Sequence, residues 1–386
     1  MFCGKIFGRK EEAYMNDKKN AYLTIGLICG ILLSLTVADL LKSDRLYSET
    51  ENRVLASMPE FSKEELFWGD YNEDYEKYVT DQFIGRDKWI GIKTWTDIVL
   101  QKKEINDVYL GKDNYLIEKH NPEDYPEDLV NTKLEALKEL VEMWDARVML
   151  VPTADNILSD KLPAYALYYD EAAFLEQVKE VIGDEHYIDV YSALAEHSEE
   201  EIYYRTDHHW TSLGSYYGFR AWAEHMGRYA YPYNTSNMTT VSDNFLGTLH
   251  SRININVRPD EITYFSETEL RPVEIVYDLI IKEDSLYEER YLSTKNQYGY
   301  FLDDNHGFVE IGTGCKNGQT LFVIKDSYAN CLIPLLTNHY ENIYVMDLRY
   351  FNGRLFDFME TYEPEDGMDV LVLYNCIHFL EDFRYY

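Results

Sequence analysis

An α/β fold with a mainly parallel sheet and helices on both of its faces, preceded by one transmembrane helix, is what this 386-residue sequence predicts. Three observations carry the prediction. Short apolar strands alternate with amphipathic helical stretches over most of the chain. Two strand-to-helix or loop-to-helix junctions hold polar residues of the kind that do chemistry. One uncharged apolar run stands apart near the N-terminus.

That run, Ala21–Ala38 (AYLTIGLICGILLSLTVA), has neither charge nor proline, and with Leu40 and Leu41 it approaches the ~20 apolar residues needed to cross a bilayer as a helix. Lys5, Arg9, Lys10, Lys18 and Lys19 precede it. The positive-inside rule therefore makes 1–20 a cytoplasmic tail, 21–41 a transmembrane signal anchor, and places the rest outside the cytoplasm at the cell membrane. A cleaved signal peptide is the competing reading. Its apolar core usually spans only about 7–15 residues, and Thr36-Val37-Ala38 is a marginal cleavage site.

The formal charge is −33, from 69 acidic and 36 basic residues; residues 1–41 hold four and five of these, so the acidity lies beyond the apolar run. Such a field repels nucleic acid and strongly anionic polymers and favours a neutral or cationic substrate, unless a basic groove overrides it locally. A merely solubilising surface explains the charge equally well. The 35 Tyr, 17 Phe and 6 Trp suit sugar stacking, but most such rings belong to any core, so the support is weak. Cys315, Cys331 and Cys376 show no metal-binding spacing. They allow one disulfide without demanding it, and small buried hydrophobes are the favoured reading.

Residues 42–60 read as a polar linker, and 62–104 as two helices broken around Gly85, so 42–105 is a linker and helical stalk. Within the main domain, 106–386, Val108–Ile117 reads as a hairpin turning at Gly111–Asn114. Asp128–Trp144 is a helix, Arg147–Pro152 a strand, Asp170–Ile182 a helix, His186–Tyr191 strand-like and Ser212–Gly227 a helix. An irregular stretch at about 228–318 reads as an insertion. The rhythm resumes with strand Thr320–Ile324, helix Tyr328–His339, strand Asn342–Leu348 and strand Asp369–Leu373.

The chemistry gathers in two places. Tyr204-Arg205-Thr206-Asp207-His208-His209-Trp210-Thr211 directly precedes a helix. Leu321–Asn330 (LFVIKDSYAN) is an apolar strand running into a helix. A serine at such a turn presents its hydroxyl at the sheet's C-terminal edge beside free helix-start amides, where open α/β sheets bind ligands. A nucleophilic serine needs a histidine base and a carboxylate to orient it. Asp207 and His209 offer both from one loop. Each piece alone has a plainer reading: Asp-Ser as a helix cap, His-His as a metal pair with no obvious third ligand.

Together with ENR at 51–53, DQFIGRDKW at 81–89, VYLGKDNYLI and VPTADNILSDKLP, the segments TDHHWT and KDSYANCLIPLL resemble the DHHW protein family. That family is related to the SGNH-like O-acetyltransferases of the alginate acetylation machinery. The resemblance covers nearly everything after residue 45 and implies an SGNH-hydrolase-like three-layer sandwich whose motif order is circularly permuted. It places Asp207, His209 and Ser327 as a catalytic triad, with His208 as a second candidate base. Lys325 stands where SGNH enzymes have glycine, which leaves the oxyanion donors open: the amides of Ser327 and Tyr328 come first, with Asn330, Asn375 and Tyr374 as side-chain helpers. Arg349 either lines the site or forms a structural ion pair with Asp347.

The resemblance further implies an extracytoplasmic O-acetyltransferase. An acyl-Ser327 would pass its acetyl group to a cell-surface or secreted polysaccharide, with a membrane-bound O-acyltransferase as the supplying partner and neither metal nor cofactor. An acetyl esterase with the same triad, and a non-catalytic polysaccharide-binding protein, are the alternatives. Tyr229, Tyr231, Tyr233 and Tyr264 are expected to line part of the acceptor groove.

Overall fold

The computed structural model describes residues 3–48, 53–234, 237–266, 274–351, 353–362 and 367–384. Glu51 and Asn52 of the ENR segment lie outside them. The chain forms two compact units, residues 1–92 and 93–386.

The first unit begins with helix α1, Cys3–Leu41. Its Lys18–Leu41 portion has mean hydropathy 2.1, no burial, and the length to cross a membrane. Beyond it, the DQF segment is a staple. Gln82 accepts from Arg45 N at 3.0 Å and donates to the carbonyls of Arg45 and Ala56 at 2.9 Å each. Asp81 accepts from Ala56 N at 2.9 Å. These two side chains tie the strand pair Tyr47–Ser48/Arg53–Val54 to helix Asp70–Gln82. Gly85, at φ +67°, separates that helix from Arg86–Val99 as its freedom from Cβ clashes allows.

The second unit is built on seven strands: β1 (Arg147–Val151), β2 (Glu274–Tyr277), β3 (Ile281–Glu283), β4 (Phe308–Gly312), β5 (Thr320–Lys325), β6 (Asn342–Asp347) and β7 (Asp369–Asn375). Their spatial order is β3-β2-β4-β6-β5-β7-β1. Strands β6, β5, β7 and β1 pair in parallel, whereas β3, β2, β4 and β6 pair antiparallel. The sheet is therefore mixed rather than mainly parallel. The parallel strands are covered on both faces and read as unbroken apolar runs such as LFVI and VLVL. The antiparallel half comes from 228–318, where β3, with two exposed residues of three, leaves no such signature.

Helices cover both faces, giving three layers. On one face Leu321, Val323, Leu371, Leu373, Met149 and Val151 pack with Phe219 and Trp222 of α5. On the other, Phe322, Ile324, Val370, Val372, Val148 and Leu150 pack with Leu137 and Leu140 of α2 and Phe174 of α3. Here α2 is Glu127–Trp144, α3 Glu171–Ile182, α4 Val190–Glu196 and α5 Ser212–His225.

Two local expectations change. His186–Tyr191 makes only a single parallel bridge, Val148 to Tyr187, because Asp189 caps α4 through Ser192 N at 3.0 Å and starts a helix there. Tyr328–His339 is a 3₁₀ turn, Ser327–Cys331, followed by a short α-helix, Ile333–Leu336, rather than one helix. Pro334, which has no N–H to offer, sits at the start of the second piece. The hairpin forms as expected, Val108–Leu110 pairing with Leu116–Glu118 around Asp113 and Asn114 at φ +56° and +64°.

Candidate active site

The site lies at the C-terminal ends of β5 and β7. Strand β5 is buried throughout and ends at Lys325. Asp326 then caps the 3₁₀ turn by accepting from Tyr328 N at 2.9 Å through one carboxylate oxygen. Its other oxygen accepts from Asn375 N at 3.0 Å and meets His378 Nδ1 at 2.7 Å. One buried carboxylate thus fixes the serine turn to the end of β7. Burial works against its charge, but the bond and charge of His378 prevail and hold the Asp326 carboxyl below its ordinary range.

The TDHHW loop is shaped by hydrogen bonds to its own backbone and to Asp260. Tyr204 N donates to His209 O at 3.2 Å. Asp260 accepts from Arg205 N at 2.9 Å, Thr206 N at 2.8 Å and Thr206 Oγ1 at 2.6 Å. Two bonds join the loop to the serine turn: Trp210 Nε1 donates to Tyr328 O at 2.8 Å, and the Tyr328 hydroxyl donates to His208 O.

With both segments so held, Asp207, His209 and Ser327 form a row. His209 Nδ1 lies 2.6 Å from Asp207 Oδ1, and His209 Nε2 lies 2.8 Å from Ser327 Oγ. All three are buried, at 3%, 5% and 6% exposure. The carboxylate only accepts, so the proton sits on Nδ1 and Nε2 is left to accept from the serine hydroxyl. Asp207 also accepts from His209 N at 3.1 Å, Thr248 N at 2.8 Å and Thr248 Oγ1 at 3.0 Å. Burial disfavours its charge, yet the neighbouring His208 and His209 and the bonds from His209 and Thr248 hold its carboxyl well below the usual range. Gly247 makes this approach feasible, because a Cβ there would sit 2.3 Å from Asp207 Cβ and Oδ2.

His208 is not in the row. Its Nδ1 meets Thr248 Oγ1 at 2.8 Å, and its ring borders a small polar pocket with Glu118, His120, Asp155, Tyr328 and His378. Burial and the adjacent His209 push its pKa down to about 3, so it is neutral over the physiological range. Asp207, His208 and His209 bring ligand atoms within 4.8 Å of one another, but both ring nitrogens of His209 already face Asp207 and Ser327.

The other candidates are placed as follows. Tyr328 N is taken by Asp326. Asn375 caps the helix Cys376–Asp382, accepting from Ile377 N at 3.0 Å and His378 N at 3.3 Å, and donates to Val151 O at 3.3 Å. Asn330 accepts from Lys325 Nζ at 2.8 Å and donates to Asp304 O at 3.0 Å. Tyr374 packs on Phe379 and Phe383 in the core of the opposite face. Arg349 grips Asp347 with two bonds, at 2.9 and 2.7 Å. The same carboxylate receives Lys325 Nζ at 3.2 Å, which explains what a lysine does in place of glycine. Among the described residues, the Ser327 amide and the Tyr374 hydroxyl are the expected oxyanion donors to which no acceptor is bonded, and Tyr374 lies in the core of the opposite face, which leaves the Ser327 amide at the serine turn. Cys315, Cys331 and Cys376 are free thiols.

The tyrosines divide. Tyr231 sits 6.3 Å from His339 and Tyr229 sits 5.5 Å from Tyr231. His339 precedes the N-terminal end of β6, so these two lie at the sheet's far end from Ser327. Tyr264 instead reaches Tyr300 at 6.1 Å, next to Phe301, which packs on Tyr298. Sequence reasoning passed over Asp260, Gly247, Thr248 and Tyr298, which hold the row from the 228–318 stretch. No local motif marks them, since their roles arise only on folding.

Fold and geometry together define a three-layer α/β protein with a buried Ser-His-Asp hydrogen-bonded row at its sheet edge. The family model for DHHW proteins matches residues 112–346, and the chain belongs to that family. A DHHW family protein from Eubacterium siraeum is 25% identical with a TM-score of 0.56, covering 72% of this chain and 93% of that one. Bacillus cereus PatB1 with a sulfonyl adduct is 17% identical with a TM-score of 0.58, covering 72% and 100%. The O-acetyltransferase domain of Pseudomonas putida AlgJ is 14% identical with a TM-score of 0.44, covering 72% and 93%. A comparison with curated proteins finds no match.

Proposed function

We propose that the protein is an extracytoplasmic serine O-acyltransferase that acetylates a polysaccharide, with Ser327 as nucleophile, His209 as base and Asp207 as orienter. The observation that carries this reading is the row itself, with its 2.6 and 2.8 Å contacts. Ser327 Oγ attacks the acyl carbonyl while His209 Nε2 takes its proton. The Ser327 amide donates to the developing oxyanion. The tetrahedral centre collapses as the leaving group accepts the proton from His209, which leaves an acyl-serine. A sugar hydroxyl, deprotonated in turn by His209, attacks that ester and restores the serine. The apolar N-terminal helix suits membrane attachment, with a membrane-bound O-acyltransferase as supplier of acetyl groups.

The test is covalent labelling followed by transfer. The full chain is treated with a sulfonyl fluoride and digested, and its peptides are mass-analysed. An adduct on Ser327, absent from His209→Ala, is expected. Incubation with a small acetyl ester and neutral oligosaccharides should then yield acetylated oligosaccharide. Release of acetate alone, together with deacetylation of an acetylated polymer, would establish the esterase instead. No Ser327 adduct and no turnover would leave a binding protein.

A further inference from the structure

Tyr298 lies in the 3₁₀ turn Gln297–Tyr300, far from the motifs in sequence, and is 5% exposed. Its ring stacks on the His209 imidazole at 3.8 Å between centroids and 12° between planes. Its hydroxyl donates to the backbone carbonyl of Ser327 at 3.2 Å and lies 3.3 Å from Cys331 Sγ. Burial keeps the phenol protonated, its pKa raised well above the ordinary value. Phe301 at 5.4 Å and Tyr204 at 6.3 Å hold the ring in turn. One side chain therefore touches both reacting partners, the imidazole through its face and the serine turn through its edge.

Resting on the reading of Ser327 and His209 as nucleophile and base, we infer that Tyr298 is a positioning residue that keeps the imidazole in line with Ser327 Oγ. Two physical effects act together. The stacked ring blocks rotation of His209 away from the serine, and the tilted His208 ring, 3.9 Å away, closes its other side. The hydroxyl fixes the carbonyl of the residue whose Oγ must reach Nε2. Besides Tyr298, the titratable groups facing His209 are Asp207, His208, Tyr328 (ring at 5.2 Å) and Asp304, whose carboxyl responds to the His209 charge.

The experiment compares Tyr298→Phe and Tyr298→Leu in the full chain. The phenylalanine variant keeps the stack and loses one hydrogen bond, so acetyl-ester turnover should fall about 2- to 10-fold. The leucine variant loses the stack, and kcat should fall about 10- to 100-fold while KM moves less than about threefold. Tyr298→Met, which fills similar volume, replaces leucine if that variant does not fold.

A second readout does not depend on catalysis. In histidine-labelled chain, the upfield ring-current shift of the His209 Hε1 resonance should persist in Tyr298→Phe and vanish in Tyr298→Leu. If Ser327→Ala keeps full turnover, the catalytic reading has failed, and this resonance still reports the stack. A leucine variant with wild-type kcat would overturn the inference. Equal damage from phenylalanine and leucine would overturn the part assigned to the ring.

Discussion

Asp207→Asn is the substitution that tests the row most sharply, because it keeps shape and removes only charge and one acceptor. The carboxylate accepts four bonds, two from His209 and two from Thr248. An amide has one oxygen and one NH₂. If the oxygen faces Thr248, the NH₂ faces Nδ1 and forces the imidazole into the other tautomer. Nε2 then carries a proton, donates to Ser327 Oγ, and can no longer accept from it. If the oxygen faces His209, the NH₂ meets the Thr248 N–H at 2.8 Å, a donor-to-donor clash within a buried site. The first arrangement sets the NH₂ against the His209 N–H, but at 3.1 Å rather than the 2.8 Å to Thr248 N, so it costs less and the wrong tautomer should dominate. Loss of the base at an otherwise intact site lowers turnover about 10³- to 10⁴-fold, or about 4–5.5 kcal/mol of transition-state stabilisation. Stability should fall by only about 1–3 kcal/mol, because the volume is conserved.

The assay is acetyl-ester turnover by the purified full chain alongside its thermal melt. Folded Asp207→Asn protein retaining more than a tenth of wild-type kcat, in a preparation where His209→Ala is inactive, would refute the tautomer argument. The pH dependence of the fold follows from the same carboxylate. Its depressed pKa contributes stability that is fully present above the ordinary carboxylate range and is lost only as pH falls through the depressed value. The asparagine variant should lack this acid-side term in its melting curve.

Three further outcomes are expected. His209→Ala, Ser327→Ala and the double variant should share one activity floor, whereas His208→Ala, which removes a neutral ring outside the row, should stay within about tenfold of wild type; kinetics in parallel decide it. Gly247→Ala should push Asp207 out of line and lower both turnover and folding stability, by at least tenfold and about 1–3 kcal/mol, since the added Cβ falls 2.3 Å from the carboxylate. Arg349→Ala should lower stability by about 1–2 kcal/mol and leave kcat within about threefold, because Lys325 still neutralises part of Asp347; a large loss of kcat in a folded variant would instead place Arg349 at the substrate.

The legible parts of this protein are those where a local physical rule acts. An uncharged run has no stable place in water, so Ala21–Ala38 declares itself as a helix fit for a bilayer. Strands buried on both faces must be apolar at every position, so β5, β6 and β7 show as LFVI, IYVM and VLVL. Asp-Ser at the end of such a strand marks the turn, and TDHHW marks its loop. What the sequence could not disclose is held by groups remote along the chain. His209 and Ser327 are 118 residues apart, and their 2.8 Å contact exists only because Trp210 and Tyr328 bind their segments together. Which histidine meets the serine depends on which ring Thr248 and Asp207 each capture. Tyr328 N, expected as an oxyanion donor, is taken by the Asp326 carboxylate at 2.9 Å, a pairing set by the folded turn. The stretch at 228–318 reads as irregular because its strands are short and partly exposed. Folded, it supplies the antiparallel half of the sheet together with Gly247, Thr248, Asp260 and Tyr298. Local patterning thus determined the apolar N-terminal helix, the parallel strands and the segments that carry the Asp207, His209 and Ser327 row. Tertiary packing alone decided their alignment, because a hydrogen bond is set by distance and angle in space and leaves no trace in residue spacing along the chain.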